Sequence, residues 1–209
     1  SIAGDAFDEC PELGILTVHS GNKSFMSKGN IIYDYHGTKA VCSARAIKSI
    51  DFPKTLMEIT EGAFKGCTGL TALDLPDSVE TLGFQAFFGC TGLQSLRLPA
   101  SLKTLEYCVF FGCTGINGTV VLPANLETIG DGAFYLCSNV DGFDFSKCTK
   151  LSSIGSWAFG RCTKIKAVNL PASLKTIKGD AFDDCPELTK LTVHSDNKSL
   201  KSENNIIYT

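Results

Sequence analysis

Histidine, methionine and tryptophan are scarce in this chain: its 209 residues include 3 His, 2 Met and 1 Trp. The histidine scarcity bears on chemistry first. His19 and His194 hold equivalent places in a repeat 175 residues apart, and His36 lies at a turn, so no two can share a metal ion. No serine sits in a nucleophile elbow, and no glycine run opens a helix as a phosphate loop does. We therefore expect no enzyme, no metal and no cofactor. Charge of one sign is lacking too, with 19 Lys and Arg against 22 Asp and Glu for a net charge of −3. Without a basic field a phosphate backbone finds no counter-charge, which excludes nucleic acid as a partner. No apolar run reaches the roughly 18 residues of a membrane span, and no signal peptide is visible. This stretch is not expected to insert into a membrane.

What the chain has is repetition. Residues 176–209 repeat residues 1–34 at 23 of 34 positions, which reads as a window cut from a longer periodic polypeptide. Inside that long period runs a shorter one, Ala-Phe-x-x-Cys, at Cys10, Cys67, Cys90, Cys137, Cys162 and Cys185, with Val109-Phe110 to Cys113 as its variant. From Cys67 to Cys185 the cysteine spacings are 23, 23, 24, 25 and 23. Units of this length bury their apolar faces only against their neighbours, so residues 1–209 are expected to form one solenoid domain. Each unit reads Cys-x-x-Leu-x-x-Leu-x-Leu-Pro, a polar link, then Leu-x-x-Ile/Leu-Gly and the next Ala-Phe. The Leu-x-Leu alternation predicts one strand with one buried face, ended by a proline that cannot donate to a ladder. Ala-Phe predicts a short helical turn on the opposite side.

Ala44 takes the cysteine place of one further coil, so the coil from Cys10 is longer and carries extra chain over 20–43. Its two apolar runs, Ile31-Ile32-Tyr33 and Ala40-Val41, flank a His36-Gly37 turn and predict a projecting β-hairpin with Tyr33 and Tyr35 exposed near its tip. Asn205 to Tyr208 begin the same hairpin without its partner strand and are expected to be poorly ordered or paired with another chain.

These residues, Leu-x-x-Leu-x-Leu-Pro-x-x-Leu-x-x-Ile-Gly-x-x-Ala-Phe-x-x-Cys at a 23-residue period, resemble the BspA-like leucine-rich repeats of bacterial and protist surface proteins. The resemblance covers essentially the whole chain. It implies an α/β repeat solenoid, a right-handed coil with a parallel β-sheet on one face, short helical turns or irregular chain behind, and the inserted hairpin. It also implies extracellular or cell-surface placement, adhesion to a protein or glycan, and no catalytic residues. A passive spacer made of repeats is the competing reading.

Stacked coils lie about 4.8 Å apart, beyond the usual Cβ separation of a disulfide. The seven ladder cysteines are therefore expected to be buried thiols, and the off-ladder Cys42, Cys108 and Cys148 to be more exposed or reactive. Three surfaces could take a partner. The sheet face carries a polar, mixed-sign column that includes Asp74, Arg97, Asp144 and Asn169, with Asp74 and Asp144 roughly 14 Å apart, too far for paired carboxylates. The flank carries Phe88, Phe111, Tyr135 and Trp157 on successive coils, with Phe84 and Tyr107 nearby. The hairpin tip is the third. Sequons at Asn22, Asn117 and Asn197 matter only in a secreted eukaryotic protein. Solenoid ends without polar caps expose apolar edges, so end-to-end self-association is also expected.

Overall fold

Alternation sets the first strand of each coil. In Ala72–Asp74 the central Leu73 is buried while Ala72 and Asp74 face solvent, and Ala167–Leu170 follows the same rule. A computed structural model describes residues 1–209, and in it these strands stack in parallel with Leu73 opposite Leu96 and Val168 opposite Leu191. The ladder is not continuous. It falls into three pairs: Ala72–Asp74 with Ser95–Arg97, Gly118–Val121 with Val140–Asp144, and Ala167–Leu170 with Lys190–Val193. One break precedes the strand displaced by the extra residue near Asn117-Gly118, and the other follows the insertion near Ser146-Lys147.

The continuous sheet is a different one. Each coil contributes a second, two-residue strand from its Leu-x-x-Ile segment, so the expectation of one strand per coil is corrected. Glu58–Ile59, Thr81–Leu82, Thr104–Leu105, Thr128–Ile129, Ser153–Ile154 and Thr176–Ile177 run in parallel register. The glycine that follows this strand donates its N–H to the coil before, as Gly83 does to Ile59 O at 2.8 Å. A Cβ on Gly83 would stand 2.7 Å from Glu61 N, so at this coil the approach requires glycine, while Thr60 and Lys178 make the equivalent bond elsewhere at 2.9 and 3.1 Å.

No helix forms, which corrects the α/β assignment to an all-β coil. The Ala-Phe segment is a stacked turn, because alternate N–H groups, those of the phenylalanines among them, are taken by the neighbouring coil while those between close i−3 turns within their own coil. Phe64 N donates to Ala86 O at 2.8 Å, Phe87 N to Val109 O at 2.9 Å and Phe110 N to Ala133 O at 2.8 Å. An α-helix needs those donors for its own i−4 carbonyls.

The core is a 48-residue cluster running from Ile31 to Leu200. Its axis is the repeated phenylalanine: Phe64, Phe87, Phe110, Phe134, Phe159 and Phe182 stack with ring centroids 5.0–5.9 Å apart. Beside it the cysteine thiols form a hydrogen-bond ladder. Cys90 Sγ donates to Phe64 O, Cys113 to Phe87 O, Cys137 to Phe110 O and Cys162 to Phe134 O, all at 3.1–3.2 Å. Cysteine is thus both the small apolar filler and a coil-to-coil donor, a role that the repeat pattern alone did not suggest.

The thiol expectations need correcting at five positions. Cys10 is exposed and Cys185 half-buried, because they lie in the first and last coils. Cys42, Cys108 and Cys148, expected to be exposed or reactive, are all buried. Burial pushes the Cys42, Cys148 and Cys185 thiols up to about 11. A thiol reagent at pH 8 should therefore label Cys10 first, the half-buried Cys185 more slowly and the other eight only as the chain opens; rapid modification of Cys108 on intact protein, read by peptide mapping, would contradict this packing.

The hairpin does not project. Ile31–Asp34 and Lys39–Ser43 pair as expected around His36-Gly37, but Phe25–Lys28 adds a third strand, and Lys39–Ser43 joins Glu58–Ile59 in parallel. The result is one nine-stranded sheet with the hairpin closing an edge of the solenoid. Tyr33, expected at the exposed tip, is fully buried within the core cluster, while Tyr35 stays exposed and packs edge-on against His36. Period-two alternation turns Tyr33 inward once the sheet edge is paired.

Asp34 fixes the turn, accepting from Thr38 N at 2.6 Å, Thr38 Oγ1 at 2.7 Å and Lys39 N at 2.9 Å. Partial burial pushes its carboxyl up, but these hydrogen bonds outweigh burial and hold it below the usual carboxylate range. A depressed folded-state pKa contributes stability above the unfolded value and loses it as pH falls through the folded one. Amide exchange at Thr38 and Lys39 should accelerate below about pH 4 more than at core amides, after correction for intrinsic rates.

The chain end is corrected in the same way. Ile206–Tyr208 pairs antiparallel with Lys201–Glu203, the counterpart of the unforeseen strand Phe25–Lys28.

Candidate functional site

The sheet-face residues are placed as expected but largely engage one another. Arg97 bonds Asp74 through Nε, Asp77 through Nη1 at 3.1 Å and Leu75 O through Nη2 at 2.8 Å. Asp144 accepts from Ser146 N at 2.8 Å, and Ser146 holds its carboxyl below the usual range. Asn169 accepts from Thr192 Oγ1 at 3.2 Å. Asp144 and Asn169 meet His194 in an open cleft of about 580 Å³ at the second break in the ladder. Asp74 and Arg97 lie outside it. Among the sequons, Asn197 is buried, and its Nδ2 donates to Pro171 O and Leu174 O, which leaves no amide for a glycan.

The flank brings the aromatic candidates together. Phe88, Phe111 and Tyr135 stack on successive coils with centroids 4.6 and 5.0 Å apart, and Trp157 tilts against Tyr135 at 6.4 Å. A second row stacks Phe84 on Tyr107 at 5.0 Å. Phe84, Tyr107 and Trp157 remain 40%, 47% and 52% exposed, which separates them from the buried phenylalanine axis. The chain's own cations close the ends of the inner row. Lys65 Nζ lies 5.8 Å from the Phe88 ring, and the Arg161 guanidinium lies 5.8 Å from that of Tyr135.

Between the rows lies a cleft of about 290 Å³, walled by Tyr107, Phe111, Tyr135 and Trp157 with Asp131 and Ser156 at its polar side. Its floor is Gly132. That residue holds φ +63 at the repeat position where Trp157 holds φ +52 and Gln85 φ +52. Gly62 and Cys108 hold φ +63 and +53 at the same place, so the left-handed turn belongs to the repeat, and each non-glycine residue there, Trp157 included, carries its conformational cost. Asp131 Oδ1 accepts from Ser156 N at 2.7 Å, while Oδ2 makes no hydrogen bond within the chain. The Tyr107 hydroxyl is pushed above its ordinary range, first by Cys108 beside it and in smaller part by burial and by Asp131.

Residue patterns had marked the aromatic walls but not Asp131, Gly132 or Ser156. Their signal is an interruption. The column that reads Phe84 and Tyr107 continues as Asp131 and Ser156.

Arg45 was also missed. It is buried and paired with Asp8, and it stands in the column that reads Thr68, Thr91, Thr114, Ser138 and Thr163 in the five central coils.

Residues 37–151 and 143–204 match the BspA type Leucine rich repeat region in 6 copies. No curated protein matches the chain significantly. Among solved structures, a leucine-rich repeat protein of T. pallidum is similar at 25% identity and a TM-score of 0.64, over 84% of this chain and 81% of that one. A leucine-rich repeat protein of Eubacterium ventriosum shares the fold at 22% identity and a TM-score of 0.70, over 100% of this chain and 59% of that one. A leucine rich cell surface protein of Faecalibacterium prausnitzii does so at 22% identity and a TM-score of 0.60, over 87% of this chain and 42% of that one. This chain thus spans about half the length of the last two.

Proposed function

Because the chain belongs to the BspA-type leucine-rich repeat family, we propose that it is a non-catalytic recognition module of a cell surface whose aromatic flank engages a protein partner. One observation carries this reading. Tyr107 and Trp157 wall a cleft while staying exposed, with the exposed Phe84 stacked on Tyr107, whereas Phe64, Phe87, Phe110, Phe134 and Phe159 of the core axis are fully buried. Aromatic side chains lining a concavity dominate binding hot spots. Cell-surface placement draws support from the family and from the description of the Faecalibacterium protein. The sheet face is the weaker surface, since Arg97 is already held by Asp74 and Asp77.

That mutual pairing favours a second reading, a passive spacer. An array of extracellular-matrix proteins and glycans separates the two. A saturable hit that survives joint replacement of Asp74, Arg97 and Asn169 but weakens about tenfold or more in Tyr107→Ala supports the flank. Loss only with the sheet-face replacements would move the site there, and silence with the fold intact would favour the spacer.

A further inference from the structure

The flank is a stack with one member missing. Phe84 and Tyr107 lie face to face at 5.0 Å on adjacent coils, with planes 7° apart. On the next coil the same column gives Asp131, followed by Gly132 with no side chain at all, and on the coil after that Trp157 supplies a ring one position along. Tyr107 and Trp157 stand on coils two apart and wall the same cleft of about 290 Å³, which has room for one planar group. The carboxylate at its polar side points to the charge of that group. Asp131 Oδ2 has no hydrogen-bond donor from the chain, and Ser156 N already satisfies Oδ1.

We infer that this cleft takes the guanidinium of an arginine side chain from a partner protein, stacked between Tyr107 and Trp157 and paired with Asp131. This rests on the flank being the recognition surface. Guanidinium satisfies each constraint: it is planar, it stacks on aromatic faces, and its N–H fork matches a carboxylate. The chain supplies an internal precedent, since its own Arg161 lies over Tyr135 at 5.8 Å on the neighbouring row. A tetrahedral ammonium lacks the flat shape, and a neutral ring lacks a use for Asp131. Trp157 supplies the exposed wall of the site where the equivalent Gly132 supplies none.

Trp157 is the chain's single tryptophan, so its fluorescence reports on this cleft alone. The experiment titrates the protein with a peptide of alternating glycine and arginine, the same peptide with citrulline or lysine in place of arginine, and tetramethylammonium chloride. The arginine peptide should change the emission saturably, the citrulline peptide should not, and lysine and tetramethylammonium should bind at least about fivefold more weakly. Asp131→Asn should weaken the arginine response about tenfold or more with circular dichroism unchanged, and Tyr107→Leu, which keeps an apolar wall without a ring, should weaken it as well.

An equal response to citrulline, equal or tighter binding of lysine or tetramethylammonium, indifference to Asp131→Asn, or no response to arginine would each overturn the proposal. If the matrix array still gives a hit that Tyr107→Ala removes, the recognition reading survives that failure. If the array is silent too, both fall.

Discussion

Phe110→Ala should lower the thermal midpoint by roughly 10 °C, the equivalent of about 3–5 kcal/mol. Phe110 is fully buried at the centre of the phenylalanine axis, with centroids 5.4 Å from both Phe87 and Phe134. Its truncation empties a site whose walls cannot collapse, because the backbone on either side is pinned to the neighbouring coils. Phe110 N donates to Ala133 O at 2.8 Å, and Phe110 O accepts the Cys137 thiol at 3.2 Å. In a solenoid each coil is coupled only to its neighbours, so a gap in the middle also weakens the link between the two ends. Denaturant unfolding should broaden or split into two transitions. Phe111→Ala, one residue along on the flank, should cost about 1 kcal/mol, since Phe111 is half-buried and one side of its row meets the cleft. Equal losses for the two variants would mean that the flank aromatics are structural.

Asp8→Ala should cost about 3 kcal/mol, and Arg45→Met added to it should restore most of the loss. Arg45 is buried, and its Nη2 bonds Asp8 and, at 3.2 Å, Gly4 O, while Nε and Nη1 have no partner. Asp8 also takes Lys65 Nζ at 2.7 Å, so one carboxylate fastens the first turn of the chain to two later coils. Removing it strands a buried cation, which is the costly case. Replacing both partners with apolar groups removes the charge and its desolvation together. A double variant less stable than Asp8→Ala alone would show that Arg45 is held by something other than Asp8.

The repeat made most of the fold legible. Leu-x-Leu gave the first strand of each coil because a period of two is the mark of a half-buried strand, but its ladder was expected to be continuous and instead breaks beside the one- and two-residue insertions near Asn117 and Ser146. The second strand was not legible. Thr81–Leu82 and its equivalents are two residues long, too short to alternate, and their Leu-x-x-Ile spacing of three imitates a helical turn. The absence of helix has the same origin: every second donor of the Ala-Phe segment, the phenylalanine N–H included, goes to another coil, and no local pattern records that. Tyr33 was misplaced because its burial depends on Phe25–Lys28 and Glu58–Ile59 closing around the hairpin. In the candidate site, the walls were legible as aromatics recurring once per coil. Asp131 and Gly132 were not, since the cleft exists through the ring that their coil lacks.

Trp157→Gly tests the central claim most directly, through paired measurement of the thermal midpoint and of binding to whichever matrix protein the array identifies. Glycine relieves the left-handed backbone that Gly132 already adopts at the equivalent place, so the fold should hold or gain about 1 kcal/mol. The account predicts an unchanged or raised midpoint together with binding weakened about tenfold or more. A midpoint lowered by several degrees with binding intact would contradict it and return Trp157 to the packing of the solenoid.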